Sequence, residues 1–112
     1  DMHLKNFPLY RPEKDYLLAP AYDLLNTTIV NPKDKEELAL PLSGRKTKLR
    51  VADFLNTART IGLEESVVLR LIKGLQEALP KWQVLIQSSF LDENMKKAYQ
   101  ELIMSRLSRL QE

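Results

Sequence analysis

Residues 51–62 read VADFLNTARTIG, and their pattern extends to the rest of the second half of the chain. The apolar residues recur at i, i+3, i+4, i+7 and i+10, which places them on one face of an α-helix. Gly62 stands where helices commonly end in a left-handed residue, a conformation that glycine adopts without steric cost. The stretch therefore predicts an amphipathic helix capped by Gly62, with an apolar face of Val51, Phe54, Leu55, Ala58 and Ile61.

Helical spacing continues downstream of this stretch. Pro80 either begins a new helix or kinks the helix that contains it, and Asp92 is a suitable N-cap for the last helix. We therefore expect residues 51–112 to form a bundle of three or four helices around apolar stripes. These stripes are Val67, Val68, Leu71, Ile72, Leu75 and Leu79; then Trp82, Leu85, Ile86 and Phe90; then Met95, Tyr99, Leu102, Ile103 and Leu110.

The first 50 residues have a different composition, because they hold five of the six prolines. Short apolar runs flank the polar turn at residues 12–15, and a second pair of runs flanks residues 43–46, so each pair predicts a β-hairpin. The expected fold class is therefore mainly α with a small β-hairpin segment (α+β). The chain divides into a segment of hairpins and loops at residues 1–50 and a helical subdomain at residues 51–112.

Composition excludes several kinds of site. The chain has 17 basic and 15 acidic side chains, so its net charge gives no argument for nucleic-acid or membrane binding. It has no cysteine and a single histidine, which leaves oxygen ligands, and hence Mg²⁺ or Ca²⁺, for any metal site. No apolar run approaches the roughly 20 residues that span a bilayer.

The opening residues, DMHLKNFPLY, carry a spacing that suits phosphoryl transfer. Asn6 follows Asp1 by five positions, the separation of the catalytic carboxylate and the metal-binding amide in the catalytic loop of protein kinases. Asp23 follows the first predicted hairpin, where a kinase places a second metal-binding carboxylate. The alternative interpretation is structural: Asp1 is a solvated chain end and Asp23 caps a helix.

Two segments together favour the functional interpretation. DMHLKNF at residues 1–7 and LAPAYD at residues 18–23 closely resemble the catalytic and metal loops of HipA-like serine/threonine kinases, which are the toxins of bacterial toxin–antitoxin modules. The resemblance rests on Asp1, His3, Lys5, Asn6 and Phe7, and on Leu18, Pro20, Tyr22 and Asp23. It is specific in the first 26 residues and weak in the helices.

The resemblance implies a role for each matched polar residue. Asp1 is expected to be the catalytic base, and Asn6 and Asp23 are expected to bind Mg²⁺ together with ATP. Lys5 is expected to approach the transferred phosphate, with a solvated lysine as the alternative. For His3 we favour a structural hydrogen bond over proton transfer.

The resemblance also implies a cellular context. The fold is expected to be the C-terminal lobe of a kinase-like enzyme in the cytoplasm, with a protein substrate and a DNA-binding antitoxin partner that brings indirect DNA contact. Because the phosphate-binding loop and its lysine precede the catalytic loop in such kinases, the 112 residues alone are expected to be inactive. The alternative is a helical antitoxin- or DNA-binding module without catalysis.

A basic segment at residues 45–50 is a further candidate site. Alternation predicts that Lys46, Lys48 and Arg50 lie on one face of a strand, where they and Arg45 could contact phosphates. We favour a solvated basic hairpin edge over a nucleic-acid contact, because no aromatic residue is interleaved for base stacking.

Overall fold

The computed structural model describes residues 4–22 and 24–111. Its elements are a 3₁₀ turn at Leu4–Asn6, strands β1 (Leu9–Tyr10) and β2 (Leu17–Leu18), and four helices. The helices are α1 (Thr27–Val30), α2 (Val51–Thr60), α3 (Glu65–Ser88) and α4 (Glu93–Arg109). This arrangement confirms the expected fold class, mainly α with a small β-hairpin.

The hairpin forms where the sequence predicts it. Strands β1 and β2 pair antiparallel, with Leu9 opposite Leu18 and Tyr10 opposite Leu17. The amide of Ala19 donates to the carbonyl of Pro8 at 2.9 Å and extends the pairing by one step. The side chains of all four strand residues are exposed.

Local signals set the helix ends. Gly62 has φ of +74°, and the amide of Leu63 donates to the carbonyl of Ala58 at 2.8 Å. Together with the 3.3 Å bond from the amide of Gly62 to the carbonyl of Arg59, this is a Schellman motif. The carboxylate of Asp92 accepts from the amide of Met95 at 2.8 Å, so the predicted N-cap of α4 is confirmed.

The core lies where α2, the first half of α3 and the end of α4 meet. Its buried centre is Ala58, Val68 and Ile72, against which Val51, Phe54, Leu55 and Leu110 pack. Most of the predicted α2 stripe therefore faces the core. Ile61 is an exception, because it is the C-cap of α2 and its side chain is 69% exposed.

The last helices confirm the predicted number of three or four and correct the predicted third stripe. Pro80 lies inside α3, which continues through it to Ser88, so three helices follow residue 50. Phe90 is fully exposed, because α3 ends before it and helical spacing no longer places it on the core face. Leu85 is also mostly exposed, whereas Leu107, which the stripes do not include, is buried.

The second predicted hairpin is reduced to a tight turn. Leu42 and Arg45 form a single antiparallel bridge around Ser43 and Gly44, which both have positive φ, as in a type I′ turn. The carbonyl of Lys46 accepts from the amide of Glu37 at 2.7 Å, so the chain beyond the turn pairs elsewhere. The prediction that Lys46, Lys48 and Arg50 share a strand face is therefore wrong.

Candidate functional site

Lys5 and Asn6 lie in the 3₁₀ turn at the start of the described chain. The amide of Phe7 donates to the carbonyl of Leu4 at 3.1 Å and closes this turn. Asn6 is 7% exposed, whereas the Lys5 side chain is exposed. The turn therefore carries a buried amide next to an exposed lysine. An amide oxygen is a suitable ligand for a hard metal ion, and an ammonium group is a suitable partner for a phosphate.

The hydroxyl of Tyr22 links the two loops that the motif contains. It donates to the backbone carbonyl of Lys5 at 3.1 Å, across 17 positions of sequence. Tyr22 directly precedes Asp23, and Lys5 directly precedes Asn6. The hydrogen bond therefore brings together the two residues that directly precede the predicted metal ligands in the sequence.

Three of the predicted motif residues, Asp1, His3 and Asp23, lie outside the described residues. Their roles stay predictions. Within residues 4–22 and 24–111, no group of three His, Cys, Asp or Glu side chains is placed to hold a metal ion. The alternative interpretation makes Asp23 a helix cap. The N-cap of the next helix, α1, is instead Asn26, whose side chain accepts from the amide of Ile29 at 3.2 Å.

Helix α1 follows the predicted metal loop and is attached to α4. The Nη2 of Arg106 donates to the hydroxyl of Thr28 at 3.1 Å, across 78 positions. Arg106 also lines a cavity of about 320 Å³, together with Tyr99 and residues 24–28, 34 and 36–39. The C-terminal helix therefore contacts the segment that begins directly after Asp23.

A second attachment lies one helical turn further along α4. The Nη2 of Arg109 is 2.6 Å from Oε1 of Glu37, and Oε2 of Glu37 accepts from the amide of Leu49 at 3.1 Å. Burial by itself would raise the pKa of Glu37, but the hydrogen bonds from Arg109 and Leu49 and the charges of Arg109 and Arg106 outweigh it. The net result is a pKa below the ordinary value of 4.5.

The basic segment is partly neutralised by acidic neighbours. The Nζ of Lys46 is 3.0 Å from Oε2 of Glu36, and the Nε of Arg45 is 3.8 Å from Oδ1 of Asp53. Asp53 also accepts from the amide of Arg50 at 2.9 Å, at the N-terminus of α2. These contacts favour a structural role for the segment over phosphate binding.

An apolar groove lies on the other side of α1. It has a volume of about 620 Å³ between α1, the second half of α3 and the first half of α4. Trp82 and Ile86 from α3, Met95 and Tyr99 from α4, and Ile29 from α1 are among its lining residues. Three residues of the predicted third stripe, Trp82, Leu85 and Ile86, thus line an open groove rather than a closed core.

Sequence reasoning missed the contacts that hold the site. Tyr22 belongs to the second motif segment, but neither spacing nor an apolar pattern predicts a partner for its hydroxyl. Arg106, Arg109 and Glu37 had no local signal, because their partners lie more than 70 positions away. No helix in the described part of the chain is both long and apolar enough to cross a membrane.

The sequence also matches a known protein family. A family model described as the HipA-like C-terminal domain matches residues 1–83, which include both loops, the hairpin, α2 and most of α3. A search of curated proteins found no match. Since the family model covers well over half of the chain, the protein belongs to the HipA-like C-terminal domain family.

Proposed function

We propose that this chain is the C-terminal part of a serine/threonine protein kinase that transfers the γ-phosphate of ATP to a protein hydroxyl. The observation that carries the proposal is the Tyr22–Lys5 hydrogen bond. It joins the two loops whose residues match the catalytic and metal loops of HipA-like kinases.

Asp1 is the proposed catalytic base. Its carboxylate accepts the proton of the substrate hydroxyl while the hydroxyl oxygen attacks the γ-phosphorus. The bond from that phosphorus to the β–γ bridging oxygen breaks, and ADP leaves with the electron pair. Positioning, more than covalent chemistry, is what the protein contributes to such a reaction.

Asn6 and Asp23 are the proposed Mg²⁺ ligands. An amide oxygen and a carboxylate are hard oxygen donors, which this ion prefers. The burial of Asn6 fits such a role, because a ligand held in the interior keeps its orientation. When bound, Mg²⁺ neutralises charge on the nucleotide phosphates.

Lys5 is proposed to contact the transferred phosphate. Its carbonyl is held by Tyr22, whereas its side chain is exposed. The backbone of Lys5 is therefore held in place, while its exposed ammonium group can change position and stay in contact with the phosphate during transfer. A lysine acts on phosphate as a compact charge and does not require the fixed geometry of an arginine.

The biological role that we propose is that of a toxin in a toxin–antitoxin module, acting in the cytoplasm. Its substrate is a cellular protein, and its partner is a DNA-binding antitoxin through which DNA contact is indirect. The pairing of Lys46 with Glu36 and of Arg45 with Asp53 supports indirect over direct DNA contact.

The proposal is tested in the longest natural chain that contains these residues. Asp1→Ala, Asn6→Ala and Asp23→Ala should each reduce Mg²⁺-dependent transfer of labelled phosphate by at least about 100-fold, the size typical of catalytic acid–base and charge-stabilising groups. Their melting temperatures should stay close to that of the wild type, because loop ligands contribute little to the core.

Asp15→Ala is the matched control, since Asp15 is an exposed carboxylate in the loop between β1 and β2. It should retain wild-type transfer. Full activity of the three site variants would contradict the site assignment. Absence of transfer by the wild-type chain under all Mg²⁺ concentrations would contradict the kinase function itself.

A binding module without catalysis is the second candidate. The apolar groove between α1, α3 and α4 favours it, because open apolar grooves of this kind accept protein partners. Binding of duplex DNA or of an antitoxin by a wild-type chain that transfers no phosphate would support this candidate.

A further inference from the structure

The helix α4 lies entirely beyond the residues that match the family model, yet it contacts the segment that follows the metal loop. We infer that Arg106 on α4 is a positioning residue for phosphate transfer, acting through Thr28 on α1. The inference rests on the proposed kinase function. It adds a residue outside the recognised motif and assigns the C-terminal helix a part in shaping the site.

Helix α1 needs support from elsewhere in the molecule. It has four residues, Thr27–Val30, and an isolated helix of one turn is unstable in water. Its N-terminus is capped by Asn26, which satisfies one amide but does not fix the helix in space. The position of the helix therefore depends on contacts with other elements.

Arg106 provides a polar contact of this kind. Its Nη2 donates to the hydroxyl of Thr28 at 3.1 Å, in a partly buried setting. A guanidinium group has a planar, fixed donor geometry, so one bond restricts the direction as well as the distance of the acceptor. The contact thus restricts both the distance and the orientation of α1 relative to α4.

The Nε of Arg106 indicates that this contact has an unfavourable contribution to the free energy of folding. That nitrogen is buried and has no hydrogen-bond partner among the residues that the structure describes. Burying an unpaired donor is unfavourable, and such a group in a folded protein calls for an explanation. The requirement to reach Thr28 with Nη2 supplies one.

Arg109 steadies the same face of α4. It is three residues after Arg106, so the two side chains are neighbours on the helix surface. Its ion pair with Glu37 fixes the loop between α1 and α2 to α4. Arg106, residues 24–28 and Glu37, which is the partner of Arg109, all line the same cavity.

The connection to the reaction runs through the backbone. Thr28 lies five positions after Asp23, and residues 24–26 between them have no regular secondary structure. We expect a displacement of α1 to alter the path of the chain as it leaves the predicted metal loop, because only residues 24–27 separate Asp23 from Thr28 in the sequence. Misplacement of a ligand by a fraction of an ångström weakens binding and catalysis without unfolding the protein.

The test measures the Mg²⁺ dependence of phosphate transfer in the longest natural chain. Arg106→Gln and Thr28→Val should each raise the Mg²⁺ concentration at half-maximal rate roughly tenfold, the lower end of the effect expected from loss of one charge-assisted hydrogen bond. The double variant should show little more than either single one, because both remove the same bond.

A second readout does not depend on activity. Amide hydrogen exchange of the segment containing residues 24–31 should be faster in both variants than in the wild type. Arg59→Gln is the control, because Arg59 is an exposed arginine whose ion pair is with Glu65 at the start of α3. It should leave both the Mg²⁺ midpoint and the exchange of this segment unchanged.

The outcomes separate the two proposals. An active wild-type chain whose Mg²⁺ midpoint is the same in Thr28→Val overturns the positioning role and leaves the kinase function in place. The same holds if Arg59→Gln shifts the midpoint as much as Arg106→Gln. A wild-type chain without any transfer overturns the kinase function, and the role of Arg106 with it. Thr28→Val keeps the test decisive if Arg106→Gln fails to fold.

Discussion

Tyr22 shows what a single hydroxyl contributes to this site. Its ring is 46% exposed, so its hydrogen bond to Lys5 adds little to the stability of the fold, because solvent can replace it. The bond nevertheless joins two backbones 17 positions apart. Its value is geometric, since it limits how far Asn6 can move from the loop that precedes Asp23.

We expect Tyr22→Phe to reduce the rate of phosphate transfer roughly fivefold, because one hydrogen bond between the loops is lost. The melting temperature should change by no more than about 2 °C, as the ring remains in place. Transfer assays and calorimetry on the longest natural chain measure the two effects.

Tyr10→Phe is a closely matched control, since the ring of Tyr10 is also 46% exposed and lies in β1. It should leave the transfer rate unchanged. An equal loss in Tyr10→Phe and Tyr22→Phe would show that the hydroxyl of Tyr22 does not position the loops.

At the scale of elements, the C-terminal helix is attached to the first half of the chain by side-chain contacts. Arg109 pairs with Glu37 in a site where the two side chains are 20% and 15% exposed. Glu37 also accepts from the amide of Leu49, a buried residue just before α2. One carboxylate therefore connects three segments: the loop after α1, the entry to α2, and the end of α4.

The lowered pKa of Glu37 makes this connection sensitive to acid. A carboxyl group whose pKa is lower in the folded than in the unfolded state stabilises the fold at pH values above its unfolded pKa. That contribution is lost as the pH falls from about 4.5 through the folded-state pKa. The free energy of unfolding should therefore decrease over this range.

Glu37→Gln should lower the free energy of unfolding by about 2 kcal/mol at pH 7, because it removes the charged partner of Arg109. It should also remove part of the acid sensitivity. Denaturant titrations between pH 3 and about pH 7 measure both effects. Glu13→Gln, an exposed glutamate in the loop between β1 and β2, should keep the wild-type pH profile. An unchanged profile in Glu37→Gln would contradict the prediction.

At the scale of the whole molecule, much apolar surface is exposed. The four strand residues Leu9, Tyr10, Leu17 and Leu18 are 46–63% exposed, and Leu69 and Leu71 on α3 are also exposed. Large exposed apolar areas mark surfaces that contact other protein. The proposed kinase function supplies a reason, because a complete kinase also needs the elements that bind the nucleotide.

We expect the 112-residue chain alone to transfer no phosphate. Its proposed site residues accept the proton of the acceptor hydroxyl and bind the metal ion. Most contacts to a triphosphate come from other parts of a kinase. A Mg²⁺-dependent transfer assay should compare the rate of phosphate transfer by this chain with that by the longest natural chain. Circular dichroism confirms that both are folded. Measurable transfer by the 112 residues would contradict the expectation.

The amino-acid sequence determined the local structure to a large extent. The structure confirms most of the helical stripe of α2, the glycine cap at Gly62, the N-cap at Asp92 and the first hairpin. Each depends on residues within a few positions of one another, so a local pattern contains the information. The motif at residues 1–7 and 18–23 likewise predicts the family, which residues 1–83 confirm.

Only the tertiary structure decided how these pieces are held together. The second hairpin became a tight turn because the backbone of Lys46 pairs with Glu37. Phe90 and Leu85 became exposed because α3 ends at Ser88 and leaves an open groove. The contacts of Tyr22 with Lys5 and of Arg106 with Thr28 join residues that are distant in sequence. A local sequence pattern does not predict such partners, because the relative position of the two residues depends on how the whole chain packs.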